Sequence, residues 1–109
     1  MSRDIKLAAR ARRDFESIFS WLIDLSPRGA TSWRDAFWRT VFRVVDDAES
    51  FPLADESPRL SDPVCQAIFK TRRGRRYRIV FRFNDTFVMI LRVRRPGQRP
   101  LRNRDLKTQ

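Results

Sequence analysis

The chain has no histidine, a single cysteine and three glycines in 109 residues. Without imidazole there is no Ser-His-Asp or Cys-His nucleophile system and no His-ligated metal. A lone thiol, Cys65, excludes an internal disulfide and a Cys-based zinc cage. Gly29, Gly74 and Gly97 lie too far apart for a phosphate-cradling loop or a dinucleotide fingerprint. No cofactor and no metal are therefore expected. Long apolar runs are also missing. The longest, Phe87–Leu91, is five residues, against roughly 20 for a membrane-spanning helix. Met1-Ser2-Arg3-Asp4 leads into no apolar stretch, so no signal peptide is expected and the predicted location is the cytoplasm, away from membranes.

Aromatic residues and positive charge are what the chain does have. Nine Phe and three Trp supply enough apolar surface to offset chain entropy, so a folded protein is expected. The length suits one domain, residues 1–109, with an irregular basic tail from about residue 95. Lys and Arg number 24 against 13 Asp and Glu, a formal net charge of +11. Residues 1–50 carry nine cations and eight acids, whereas residues 51–109 carry 15 and five. Almost the whole excess thus sits in the second half, mostly between Lys70 and Lys107, and such asymmetry points to an anionic partner.

Ile5 and Leu7 alternate with charged neighbours, which predicts a short opening strand. From about Ala8 to Asp24 the period becomes helical, with Ala11, Phe15, Ile18, Phe19 and Leu22 on one face. Ser26-Pro27 reads as a second helix start, serine capping and proline in the first turn. Ala30, Trp33, Phe37, Val41, Val44, Val45 and Ala48 continue it, Asp35 precedes Arg39 by four residues, and Phe51-Pro52 closes it. Residues 52–63, with three prolines, are expected as loop. Strands are predicted at Cys65–Thr71, Arg76–Phe83 and Phe87–Arg94, the first two joined by the basic turn Arg72-Arg73-Gly74-Arg75. The fold expected is α+β, an N-terminal strand and a two-helix antiparallel hairpin packed on one face of a small, mainly antiparallel sheet.

A three-residue loop, Asn84–Thr86, pairs Phe83 with Phe87, Phe81 with Met89, Ile79 with Leu91 and Tyr77 with Val93. That register makes one face wholly apolar and gathers Arg76, Arg78, Arg82, Arg92 and Arg94 on the other, with Val80, Val88 and Ile90 among them. The arginine face is expected to be open and to bind phosphate or an acidic segment. Trp21 and Trp38 fall partly off the core stripes, either as packing or as apolar surface for a partner helix, and Cys65 is expected to be an inert buried thiol.

This order of elements resembles the RelE/ParE toxin superfamily. Ser26-Pro27 opening the second helix, Asp46–Pro52 closing it, Arg78-Ile79-Val80-Phe81-Arg82, Ile90-Leu91-Arg92-Val93 and the trailing Gln98-Arg99-Pro100-Leu101 carry the resemblance, over roughly residues 5–101. It implies a toxin of a type II toxin–antitoxin pair, neutralised by a cognate antitoxin through which it could also oligomerise. It implies as target either ribosome-bound mRNA, which would be cleaved, or DNA gyrase, which would be inhibited without catalysis. A non-toxic basic nucleic-acid-binding module stays open beside these. On the nuclease reading the resemblance makes Arg78, Arg92 and Arg95 phosphate-stabilising residues and Lys70 a candidate base. Arg72, Arg73, Arg75, Arg76, Arg82 and Arg94 would then bind the nucleic acid or other target. Where one sub-group has Arg-His this chain has Arg94-Arg95, and arginine is a poor proton donor or acceptor at neutral pH.

Overall fold

The computed structural model describes residues 3–107; the ends of the expected 1–109 domain, including Met1-Ser2, lie outside the described residues. Strand β1 (Asp4–Leu7) leads into helices α1 (Ala9–Leu25) and α2 (Pro27–Asp46), followed by strands β2 (Cys65–Phe69), β3 (Tyr77–Phe83) and β4 (Phe87–Arg94). Short 3₁₀ turns occupy Ala48–Ser50, Ser57–Arg59 and Asn103–Leu106. The strands form one mixed sheet in the order β1-β4-β3-β2, with β1 parallel to β4 and the rest antiparallel. The architecture is the α+β arrangement expected.

Ser26 makes the helical hairpin. Its N–H donates to Leu22 O at 2.8 Å, ending α1, and its Oγ accepts from the Gly29 N–H at 3.0 Å, capping α2. Pro27 then fills a position whose N–H would have no helical partner. Helix α2 stops at Asp46, earlier than the expected Phe51-Pro52, because Asp47 leaves helical geometry and a 3₁₀ turn follows. Asp35 and Arg39, four residues apart, form no ion pair among the described residues. Between hairpin and sheet lies an aromatic cluster of Phe15, Trp33, Phe37, Phe69 and Tyr77, with neighbouring ring centroids 4.9–5.9 Å apart. Phe37 is wholly enclosed and Tyr77 points into this core, as its alternation predicts.

The β3–β4 register departs from the expectation. The hairpin closes on the two residues Asp85-Thr86, because Asn84 N–H donates to Phe87 O and Asn84 Oδ1 accepts from the Thr86 and Phe87 amides. Phe83 therefore faces Val88 and Phe81 faces Ile90, each one position off the predicted pairing. A bulge between Val80 and Phe81 shifts the register again, so that Val80 faces Arg92 and Arg78 faces Arg94. Val88 and Ile90 consequently join the main core, whereas Leu91 and Val80 belong to a second cluster with Ala54, Val64 and Leu101.

That second cluster overturns the expected open arginine face. The loop before β2 and the chain after β4 fold over the far side of the sheet, and Leu101 and Val64 are buried against it. Its arginines are accordingly enclosed rather than solvated. Arg76 is not among them; it lies beyond β3, exposed, beside α2. The tail is ordered into a path by a turn at Arg95–Gln98, where Gly97 adopts φ +80° and Pro96 precedes it.

Candidate functional site

Two acids far apart in sequence, Glu56 and Asp14, hold arginines of the covered face, and a third, Asp105, holds Arg99 of the tail. Glu56, 2 % exposed, accepts from both terminal nitrogens of Arg78, one of them at 2.8 Å, and also from the Leu101 N–H at 3.0 Å. Arg78 reaches Gln66 Oε1 as well, at 3.1 Å. Burial pushes the Glu56 carboxyl up, but the hydrogen bonds from Arg78 and the Leu101 amide outweigh it and hold it at about 2. Asp14, on α1, takes a fork from Arg92 at 2.7 and 3.0 Å and the Val93 N–H at 3.0 Å. It thereby satisfies the edge of β4 just beyond the four residues that β1 covers. The same hydrogen bond raises the Arg92 guanidinium above its ordinary range.

Arg94 is 4 % exposed and donates to Arg99 O at 2.6 Å, while its Nε has no partner. Burial, with Arg92 and Arg78 nearby, lowers its ordinarily very high pKa. Arg99 in turn forks onto Asp105 at 2.7 and 3.0 Å, which keeps that carboxyl well below the usual carboxylate range. Arg82, half-buried, lines a cavity of about 150 Å³ with Leu91 and Asn103.

The sequence-derived candidates therefore separate. Arg78, Arg92 and Arg94 lie together on the covered face, committed to internal partners. Lys70 lies instead beside α2, in a groove with Arg76. Arg95 is exposed just past β4, close enough to Tyr77 to act on its hydroxyl electrostatically. Burial raises the Tyr77 hydroxyl above its usual value, against the pull of Arg95 and Arg75. No group of three potential metal ligands occurs among the described residues.

What remains open is the basic end of the molecule. Arg72, Arg73, Arg75 and Arg76 are exposed on the β2–β3 turn, and none has an ion-pair or side-chain hydrogen-bond partner among the described residues. Gly74 closes the turn, donating to Thr71 O at 3.1 Å; a Cβ there would collide with Thr71 Oγ1. Arg73 and Arg75 border a largely apolar cavity of about 250 Å³, walled by Trp21, Leu25, Trp33 and Tyr77. Arg72 and Arg73 also meet Arg28 at the start of α2 around a depression of about 450 Å³. Trp21 and Leu25 are 47 % and 65 % exposed, so aromatic surface and cations share this end. Sequence reasoning found the turn but missed Asp14, Glu56 and Asp105, which carry no local signal: their arginine partners are set by the fold rather than by neighbouring residues.

No helix among the described residues is long and apolar enough to cross a membrane. Residues 5–100 match the family described as the ParE toxin of the type II toxin–antitoxin system, parDE. No curated protein and no solved structure matches the chain.

Proposed function

The chain belongs to the ParE toxin family of type II toxin–antitoxin systems, and from that premise we propose that it arrests growth by binding DNA gyrase. It acts on this reading without catalysing a reaction, and a cognate antitoxin, the partner that the family implies, holds it in check. The observation that carries the reading is the commitment of Arg78 and Arg92 to Glu56 and Asp14. Phosphate stabilisation for RNA cleavage needs unpaired guanidinium groups, and proton transfer needs a group titrating near neutrality. Arg78 and Arg92 are already forked onto carboxylates, there is no histidine, and Tyr77 is buried with its hydroxyl raised. The unpaired Arg72, Arg73, Arg75 and Arg76, flanked by Trp21, supply a surface for binding rather than for chemistry.

Purified gyrase tests this directly. The protein should block supercoiling while ribosome-bound mRNA stays intact, and the triple variant Arg72→Ala, Arg73→Ala, Arg75→Ala should inhibit about tenfold less or weaker still. Cut mRNA with unaffected supercoiling would transfer the assignment to the nuclease reading. Normal growth on induction without antitoxin would leave only a basic binding module.

A further inference from the structure

Two hollows of different chemistry lie side by side where the helical hairpin meets the β2–β3 turn. The first, the cavity of about 250 Å³, is lined mainly by Trp21, Leu25, Trp33 and Tyr77. The second, of about 450 Å³, is lined by Arg28, Arg72 and Arg73. Ser26, Gly29, Thr71 and Arg73 belong to both linings, so an apolar chamber and a cationic one share a wall. None of Arg28, Arg72, Arg73 and Arg75 has an ion-pair partner among the described residues. On the shared wall, Ser26 Oγ accepts from the Gly29 N–H at 3.0 Å, and an accepting hydroxyl still has its own proton to donate.

We propose that this double hollow binds a free nucleotide with two or more phosphates, its base against Trp21 and its phosphates among Arg28, Arg72 and Arg73. The proposal goes beyond the gyrase reading and depends on neither gyrase nor antitoxin. The apolar chamber falls just below the roughly 300–1,000 Å³ of sites for drug-sized molecules. It therefore takes one flat ring system and not a long acyl chain. Aromatic walls favour such a ring, because every base has a face that stacks on indole. Four unpaired guanidinium groups exceed what one carboxylate neutralises, whereas each phosphate of a chain accepts a fork of its own. The Ser26 and Thr71 hydroxyls stand between the two, where the sugar would pass. A nucleic-acid strand suits the place less well, since it needs successive stacking platforms. Trp38 and Phe42, the other well-exposed aromatic side chains, line neither hollow.

Calorimetric titration of the whole protein with ATP, adenosine and inorganic tripolyphosphate tests this. ATP should bind at micromolar concentration, about tenfold more tightly than adenosine or tripolyphosphate, because it alone fills both hollows. Trp21→Ala, checked for an intact amide spectrum, should weaken ATP about tenfold and leave tripolyphosphate unchanged. The double variant Arg28→Ala, Arg72→Ala should weaken both ligands about tenfold. In nuclear magnetic resonance ATP should shift the amides of Gly29, Thr71 and Gly74. Tripolyphosphate binding as tightly as ATP would overturn the proposal, since bare charge would then suffice. So would ATP affinity that ignores Trp21, shifts confined to other residues, or no binding at millimolar ATP. A short single-stranded DNA that displaces ATP at equal concentration would overturn it too, in favour of a strand. No gyrase enters any of these measurements, so their failure leaves the supercoiling test untouched.

Discussion

Replacing Glu56 by Gln removes one negative charge from a site where Arg78, Gln66 and the Leu101 amide converge. A carboxyl held at about 2 in the fold, against 4.5 as its ordinary value, has its ionised form favoured by folding. The difference corresponds to about 3 kcal/mol at neutral pH, in line with about 3–5 kcal/mol for breaking a buried ion pair by removing one partner. Because the folded-state pKa is the lower one, the contribution is full above the ordinary value and fades as pH falls from about 5 towards 2. At pH 3 roughly 2 kcal/mol of it should already be gone from the wild type. Urea denaturation of both proteins at pH 7 and pH 3 measures this. Glu56→Gln should lose about 3 kcal/mol at pH 7 and about 1 kcal/mol at pH 3. A loss below about 0.5 kcal/mol at pH 7, or a loss that does not change with pH, would refute the assignment of Glu56 as the anchor of the covered face.

Asp14→Ala leaves Arg92 and the Val93 amide without their acceptor, and should cost about 2–3 kcal/mol in urea denaturation. Phe37→Ala, emptying the centre of the aromatic cluster, should cost about 3–5 kcal/mol by the same measurement. Gly97→Ala should destabilise by about 1 kcal/mol, since φ +80° strains any residue with a Cβ, and tail amides near Leu101 should exchange faster.

The helical half was readable because its signals are local and agree with one another. Ser26-Pro27 dictates both helix ends there, and every apolar position assigned to α2 from Ala30 to Val45 is buried. The β-hairpin was readable as strands but not as a register. Its pairing depends on one Asn84 side chain accepting two amides and on a bulge near Val80, and period-two alternation contains neither. The bulge compensated for the turn: the two-residue turn moved Val88 and Ile90 off the arginine face, and the bulge returned Arg92 and Arg94 to it. The charge of the second half was readable as an excess, but not as a surface. Arg92 is neutralised by Asp14, 78 positions earlier in the chain, and Arg78 by Glu56 in a loop that composition marks only as polar. The turn at Arg72–Arg76 was legible because it contains no acid and no distant acid among the described residues reaches it.

The tail that closes the far side of the sheet follows all four strands in the chain. Leu101 fills the second cluster, and the Leu101 amide, Arg99 and Asp105 lock Glu56 and Arg94 in place. The helical hairpin is therefore made well before the residues that cover Val80 and Leu91. Vectorial synthesis thus gives this protein an order: the helical hairpin precedes the sheet, and the cover over Val80 and Leu91 follows it. A premature stop before Leu101 leaves Val80 and Leu91 without their cover, Glu56 without the Leu101 amide and Arg99 without its carboxylate, so the product is an unfinished sheet and not a slightly shorter toxin.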